Sequence, residues 1–133
     1  MAWEIPLFKP GGLVAASDLS ANQFYCVKIS ADNTVALCDT DGEVFDGILQ
    51  DKPTSGLAAN VMMAGISKVE CGEALSAGDH WGVDANGKAK KVEATNTGAD
   101  VGDFAMGRVV EGAGSGEYAT VTVGLHTFKV ESV

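Results

Sequence analysis

Gly82-Val83-Asp84-Ala85-Asn86-Gly87-Lys88-Ala89 carries the two glycines and the lysine of a phosphate-binding loop. In such a loop the backbone N–H groups cradle phosphates, the lysine reaches the terminal phosphates, and a following Ser or Thr ligates magnesium. Here that last position is Ala89. A phosphate loop must also open a helix whose N-terminus faces the anion. Lys90-Lys91-Val92 instead leads into Glu93 and a Thr/Asn/Gly stretch with no helical face. Asp84-Ala85-Asn86-Gly87 is better read as the turn of a β-hairpin.

Asp39-Thr40-Asp41-Gly42-Glu43, with Asp46, has the carboxylates of a calcium loop. An EF-hand needs Gly at its sixth position and a bidentate Glu at its twelfth. Counted from Asp39 those positions hold Val44 and Gln50, so a solvated acidic loop is expected. His80 and His126 are far apart in sequence, and neither has a metal-ligand spacing. Ser76, either histidine and an Asp could be assembled on paper into a hydrolytic triad, but no G-x-S-x-G elbow supports it. Cys26, Cys38 and Cys71 are odd in number and lack C-x-x-C spacing. They read as buried reduced thiols rather than a disulfide framework or a zinc site. The turns at Asn33 and Asn86 lack the Met-Lys or Asp-Lys pair at which lipoyl and biotinyl carrier domains are modified. The residues therefore point to no enzyme and call for no cofactor or metal.

The elements that position these groups are strands. Phe24-Tyr25-Cys26-Val27-Lys28-Ile29 is aromatic and β-branched, Ala31-Asp32-Asn33 is a turn, and residues 34–38 return as a hairpin partner. Further strands are expected at 44–50, 59–64, 66–71, 80–83, 88–92, 104–110, 117–123 and 126–130. Turn signals recur every eight to twelve residues or so, and no segment sustains a helical period; Ser17 to Gln23 has room for one or two helical turns at most. The fold class is mostly β: a compact small barrel or sandwich with at most one or two short helices. Lys28, Lys68 and Lys90, with the acidic loops, are expected to guard strand edges.

With 133 residues the chain is read as one domain able to bury a core without metal or disulfide staples. Asp and Glu number 18 against 9 Lys and Arg, a formal charge of -9. A nucleic-acid backbone would repel such a chain, and the largest basic cluster, Lys88-Ala89-Lys90-Lys91, is read as a solvated strand face. No signal peptide is visible at the start, and no apolar run is long enough to span a bilayer, so no membrane partner is expected.

Residues 1–16 combine Trp3, Ile5, Leu7 and Phe8 with Pro6, Pro10 and the pair Gly11-Gly12. The prolines forbid a helix interior and the glycines mark a joint. The segment reads as an extended apolar arm, or as an edge strand or tucked terminus. As an arm, Trp3, Ile5, Leu7 and Phe8 are the residues that would grip a partner. Their burial would contribute about 6–12 kcal/mol, against a cost of about 8–16 kcal/mol for ordering some eight residues. One arm is near break-even; several arms on a symmetric lattice gain from effective concentration. The β domain spans 17–124, and 125–133 form a C-terminal strand or extension.

Two segments, in order, resemble a known family: Leu19-Ser20-Ala21-Asn22-Gln23-Phe24-Tyr25-Cys26-Val27-Lys28-Ile29, and Gly47-Ile48-Leu49-Gln50-Asp51-Lys52-Pro53-Thr54-Ser55-Gly56 running on through Asn60-Val61 to Gly65-Ile66-Ser67-Lys68-Val69. Ala77-Gly78-Asp79, Asp84-Ala85-Asn86-Gly87-Lys88-Ala89, Gly107-Arg108-Val109 and Val121-Thr122-Val123 follow. The ordered set resembles the capsid decoration, or head cement, proteins of tailed phages. The resemblance implies a β-tulip-like domain without catalytic residues. It further implies a homotrimer that binds the major capsid protein at three-fold or quasi-three-fold positions, made in the host cytoplasm and located on the outer surface of the virion. The apolar N-terminal segment and the stretch after residue 124 depart from that family's usual shape. A β-rich tail or fibre part, or a carbohydrate-binding module, is the alternative; it asks for a row of exposed aromatics from Trp3, Tyr25, Trp81 and Tyr118.

Overall fold

Alternation of apolar and polar residues along short β-branched segments gives thirteen strands and no helix among the described residues. These are residues 2–9, 11–93 and 103–129 of a computed structural model. In chain order the strands are β1 (Ile5–Phe8), β2 (Val14–Ala15), β3 (Cys26–Ala31), β4 (Thr34–Leu37), β5 (Gly47–Leu49), β6 (Val61–Met62) and β7 (Ala64–Glu70). They continue with β8 (His80–Val83), β9 (Ala89–Lys91), β10 (Phe104–Ala105), β11 (Gly107–Glu111), β12 (Tyr118–Val123) and β13 (Phe128–Lys129).

Six strands form one antiparallel sheet in the order β1-β7-β12-β11-β8-β9. The sheet curls on itself. Ala89 of β9 bridges Cys71, just past the end of β7, and the Gly72 N–H donates to the Ala89 carbonyl at 2.8 Å. The second sheet runs β2-β4-β3-β5-β6 and is antiparallel except for the β2–β4 pair; β10 and β13 form a small third sheet.

The core lies in two layers, one on each face of the five-stranded sheet. Between the sheets pack Cys26, Phe45 and Ile48 with Val69, Trp81, Val83, Val109, Ala119 and Val121. On the far face Val27, Val35, Leu49 and Val61 pack with Leu13, Ala15 and Leu19. Neighbours such as Cys26 and Val27, or Ile48 and Leu49, thus enter different layers, as the two-residue strand period requires. Trp81 is fully buried, its ring 5.5 Å from that of Phe45, and its indole N–H donates to the Thr122 carbonyl at 2.9 Å. Gly47 is where β5 meets β6 closely: a Cβ there would lie 2.3 Å from the Met62 carbonyl oxygen.

Several boundaries differ from the sequence reading, for local reasons. Phe24 does not begin β3, because its φ of 67° places it in the left-handed region. That conformation costs about 1–2 kcal/mol for a residue with a Cβ. In exchange its N–H donates to Leu49 at 2.7 Å and its carbonyl accepts from Glu70 at 3.0 Å, tying the sheets together. The stretch 104–110 splits at Met106, whose N–H donates to Trp81: β10 pairs with β13, while β11 pairs with β8 and β12. Ser17 to Gln23 forms turns, not helix, with the Asn22 N–H donating to Leu19. β2 escaped the sequence reading because two residues carry no period. The lysines also sit differently from expectation. Lys28 on β3 and Lys68 on β7 lie on interior strands, and only Lys90, on β9, is on an outer strand. The expected strand at 126–130 is present as β13, and residue 130 lies outside the described residues, as do 94–102 of the expected polar stretch and 131–133.

Candidate interaction surface

The charged side chains that suggested chemistry are largely occupied with one another. Asp84-Ala85-Asn86-Gly87 turns the β8–β9 hairpin: the Asp84 carboxylate accepts from the Asn86 and Lys88 N–H groups at 2.8 and 3.0 Å, and Gly87 takes φ of 79°. Lys88 lies 3.1 Å from Glu70 and over the Tyr25 ring. Its hydrogen bond with Glu70 holds the ammonium above the ordinary lysine range. In the acidic loop, Glu43 accepts from the Asp39 and Thr40 N–H groups, at 2.8 and 2.7 Å, and from Lys28 at 2.6 Å. Asp46 accepts from the Ile29 N–H at 2.7 Å.

Lys90 is not on a solvated face. It is buried and donates to Asp41 at 2.8 Å and Asp103 at 2.5 Å. Burial pulls its pKa down, but the bonds from Asp103 and Asp41 outweigh that and hold it above the usual lysine value. Lys91 faces Asp79 and Glu93. The basic run is therefore neutralised within the subunit.

The three cysteines are free thiols inside the core. Burial pushes Cys26 and Cys38 well above the ordinary thiol range and Cys71 up to about 11. Protonated, enclosed thiols are poor nucleophiles. His80 is exposed and stands edge-on to Phe128 with ring centroids 6.1 Å apart; His126 is exposed on the turn before β13.

What the fold does present is the outer face of the six-stranded sheet. Val69, Val109 and Val121 point inward and are buried, so Ile66, Lys68, Val110, Tyr118, Thr120 and Thr122 point outward. Ile5 of β1 stands opposite Ile66, which stands opposite Thr122. Thr120 is outward yet fully buried, because the chain at Trp3 lies across it and the Trp3 N–H donates to its hydroxyl at 3.1 Å. The result is an apolar patch in which Trp3, Ile5, Val110 and Tyr118 are 38%, 55%, 41% and 47% exposed. Tyr118 is braced edge-on by Phe24 at 5.5 Å, and the Lys68 ammonium sits 5.2 Å above the Phe24 ring. Beside the patch lies an open depression of about 610 Å³ between Ala2, Lys68 and Tyr118 on one side and the chain from Glu111 to Glu117 on the other. An apolar centre with a charged rim is the anatomy of a protein-binding surface.

Of the four residues expected to grip a partner, Trp3 and Ile5 lie on this patch, while Leu7 and Phe8 continue β1, Phe8 opposite Ala64. Sequence reasoning missed Val110, whose alternation with buried Val109 was the available signal, and considered Tyr118 only as one of the aromatics of a sugar-binding row. Of the aromatics considered for a sugar-binding row, Trp81 is in the core.

No protein-family model matches the chain, and no curated protein matches it. Among solved structures it is similar to the head fiber gp8.5 N base of bacteriophage phi29. The TM-score is 0.65 at 15% identity, and the likeness covers 95% of this chain and 98% of that chain. At that identity the likeness is one of fold.

Proposed function

We propose that this chain is a structural protein of a tailed-phage head: a decoration, or cement, protein that binds the outside of the shell and stabilises it. The observation that carries the reading is the shared fold with a head fiber base over nearly the whole of both chains. The ordered motifs from Leu19 to Val123 support the same class. The occupied ionisable groups and the exposed apolar sheet face suit recognition by surface rather than by reaction. In this reading the partners are the major capsid protein and two further copies of the chain, arranged about a three-fold or quasi-three-fold axis.

The arm arithmetic improves once β1 is a strand. Residues that already pair with β7 have given up much of their backbone freedom, so burying Trp3 and Ile5 against a shell meets a smaller entropic opposition. The base of a fibre is the second reading, favoured by the kind of protein that shares the fold; the burial of Trp81 weighs against a sugar-binding row.

Deleting residues 1–10 tests the proposal. Among the described residues of this segment none is buried, and every strand pairing other than β1–β7 lies outside it, so the truncated chain should fold. It should no longer co-sediment with purified heads, and undiminished binding would refute the role given to the segment.

A further inference from the structure

We propose that β1 is an exchangeable strand, which leaves its own β7 and pairs in the same register with β7 of a neighbouring copy. The proposal rests on the oligomeric reading above and goes beyond it by naming the element that joins the copies.

Four observations carry it. First, β1 is an edge strand, paired on one side only, with Ala64, Gly65 and Ile66 of β7. Ile5 is more than half exposed and Pro6 is exposed as well. Second, the pairing is flawed. Pro6 has no N–H to give to a ladder, and the register slips between Pro6 and Phe8. Among the described side chains and backbone groups before β1, the ties are a hydrogen bond from the Trp3 N–H to Thr120 and a 4.0 Å approach of Glu4 to Lys68. Third, the joint is open. A Cβ added to Gly11 or Gly12 would meet nothing within 4 Å, and Gly12 has φ of 85°. Fourth, the chain beyond the joint is fixed. Leu13 is buried, and Val14 pairs with Thr34 and bridges Ala58.

A poorly anchored strand on a free joint, next to a firmly anchored sheet, loses little by leaving. It regains the same bonds on an identical β7, and exchange of an identical element is a low-cost route to assembly. The five residues from Phe8 to Leu13 reach at most about 17 Å. The receiving β7 must therefore lie close to the donor's joint, as it would around a tight symmetry axis. Exchange would set Trp3 and Ile5 at the same places on the neighbour's outer sheet face, so the exposed apolar patch is kept for the shell.

The test is the double variant Ile5→Cys with Ile66→Cys, oxidised at low protein concentration. These residues are opposite partners on the outer face, and the three native thiols are buried. Native mass spectrometry gives the oligomeric state, and a denaturing gel without reductant shows which chains are linked. With exchange, most chains run as covalent dimers or trimers that vanish on reduction, and neither single variant does so. Cross-linked monomers from a native oligomer would overturn the exchange while leaving the oligomer standing. Cross-linked monomers from a native monomer would overturn both. Equal linking by either single variant would also overturn it.

Discussion

Replacing Trp81 with Phe tests whether this residue is a keystone of the core or an aromatic kept for a ligand. The indole is inaccessible to solvent, packs against Phe45 and donates to the Thr122 carbonyl, so it joins β8 to β12 across the intervening β11. Phenylalanine lacks about three of the ring atoms. At about 0.8 kcal/mol per buried methylene-sized group, that loss is worth about 2 kcal/mol. The hydrogen bond adds about 1 kcal/mol. Trp81→Phe should therefore lower unfolding stability by about 3 kcal/mol, and Trp81→Ala by about 3–5 kcal/mol. Trp3→Ala, on the exposed face, should change stability by less than about 0.5 kcal/mol. Urea unfolding followed by circular dichroism measures all three. Trp81 is the only tryptophan left in Trp3→Ala, whose emission should be that of a buried indole and should shift to the red on unfolding. A loss below about 1 kcal/mol for Trp81→Phe, with unchanged emission on unfolding, would refute the placement of this ring.

Alkaline pH should weaken the fold through its buried thiols. In the unfolded chain Cys71 loses its proton near 9.0 and in the fold only near 11. Its neutral form thus contributes stability that is whole below pH 9 and is lost as pH rises toward 11, about 2–3 kcal/mol in size. Urea midpoints from pH 8 to 11 should fall, and Cys71→Ala should fall less steeply over that window; parallel curves would contradict the argument. Lys90→Met strands the carboxylate of Asp103 in a largely enclosed site and should cost about 3 kcal/mol. Pairing it with Asp103→Asn should recover part of the loss, and thermal melts showing no recovery would place the cost elsewhere.

The hairpins were legible because their turns are written in residue types. Asn33 sits at φ 53° and Gly87 at 79°, as Asn and Gly in turns tend to, and β8 spans the residues 80–83 expected of it. The curl of the larger sheet was not legible. It depends on a bridge between Cys71 and Ala89, and nothing local at either residue announces that meeting. The same reason hid the fate of the lysines: that Lys90 is enclosed by Asp41 and Asp103 follows from a contact across some fifty residues of chain. The exposed apolar patch was half legible. Trp3 and Ile5 stood out as large apolar residues among prolines and glycines. Val110 looked like an ordinary strand residue, and Tyr118 like one of four scattered aromatics, until the sheet order put them on the same face.

The distribution of charge decides what a partner can recognise. Lys28, Lys88, Lys90 and Lys91 face carboxylates of their own subunit, and Arg108 donates to the Gly78 carbonyl. These five cations are thus engaged within a chain of net charge -9, and like charge of that size opposes close approach of two copies. In the proposed assembly, attraction would come from the apolar rows on the outer sheet face and from strand pairing at β1, both of which act at contact range. Assembly of such a subunit should depend on shape and register, with charge serving to oppose random association. The edges of the larger sheet follow the same logic. One end is closed by the approach of Ala89 to Cys71, and the other is left to a strand containing proline, whose missing N–H discourages pairing with a stray strand.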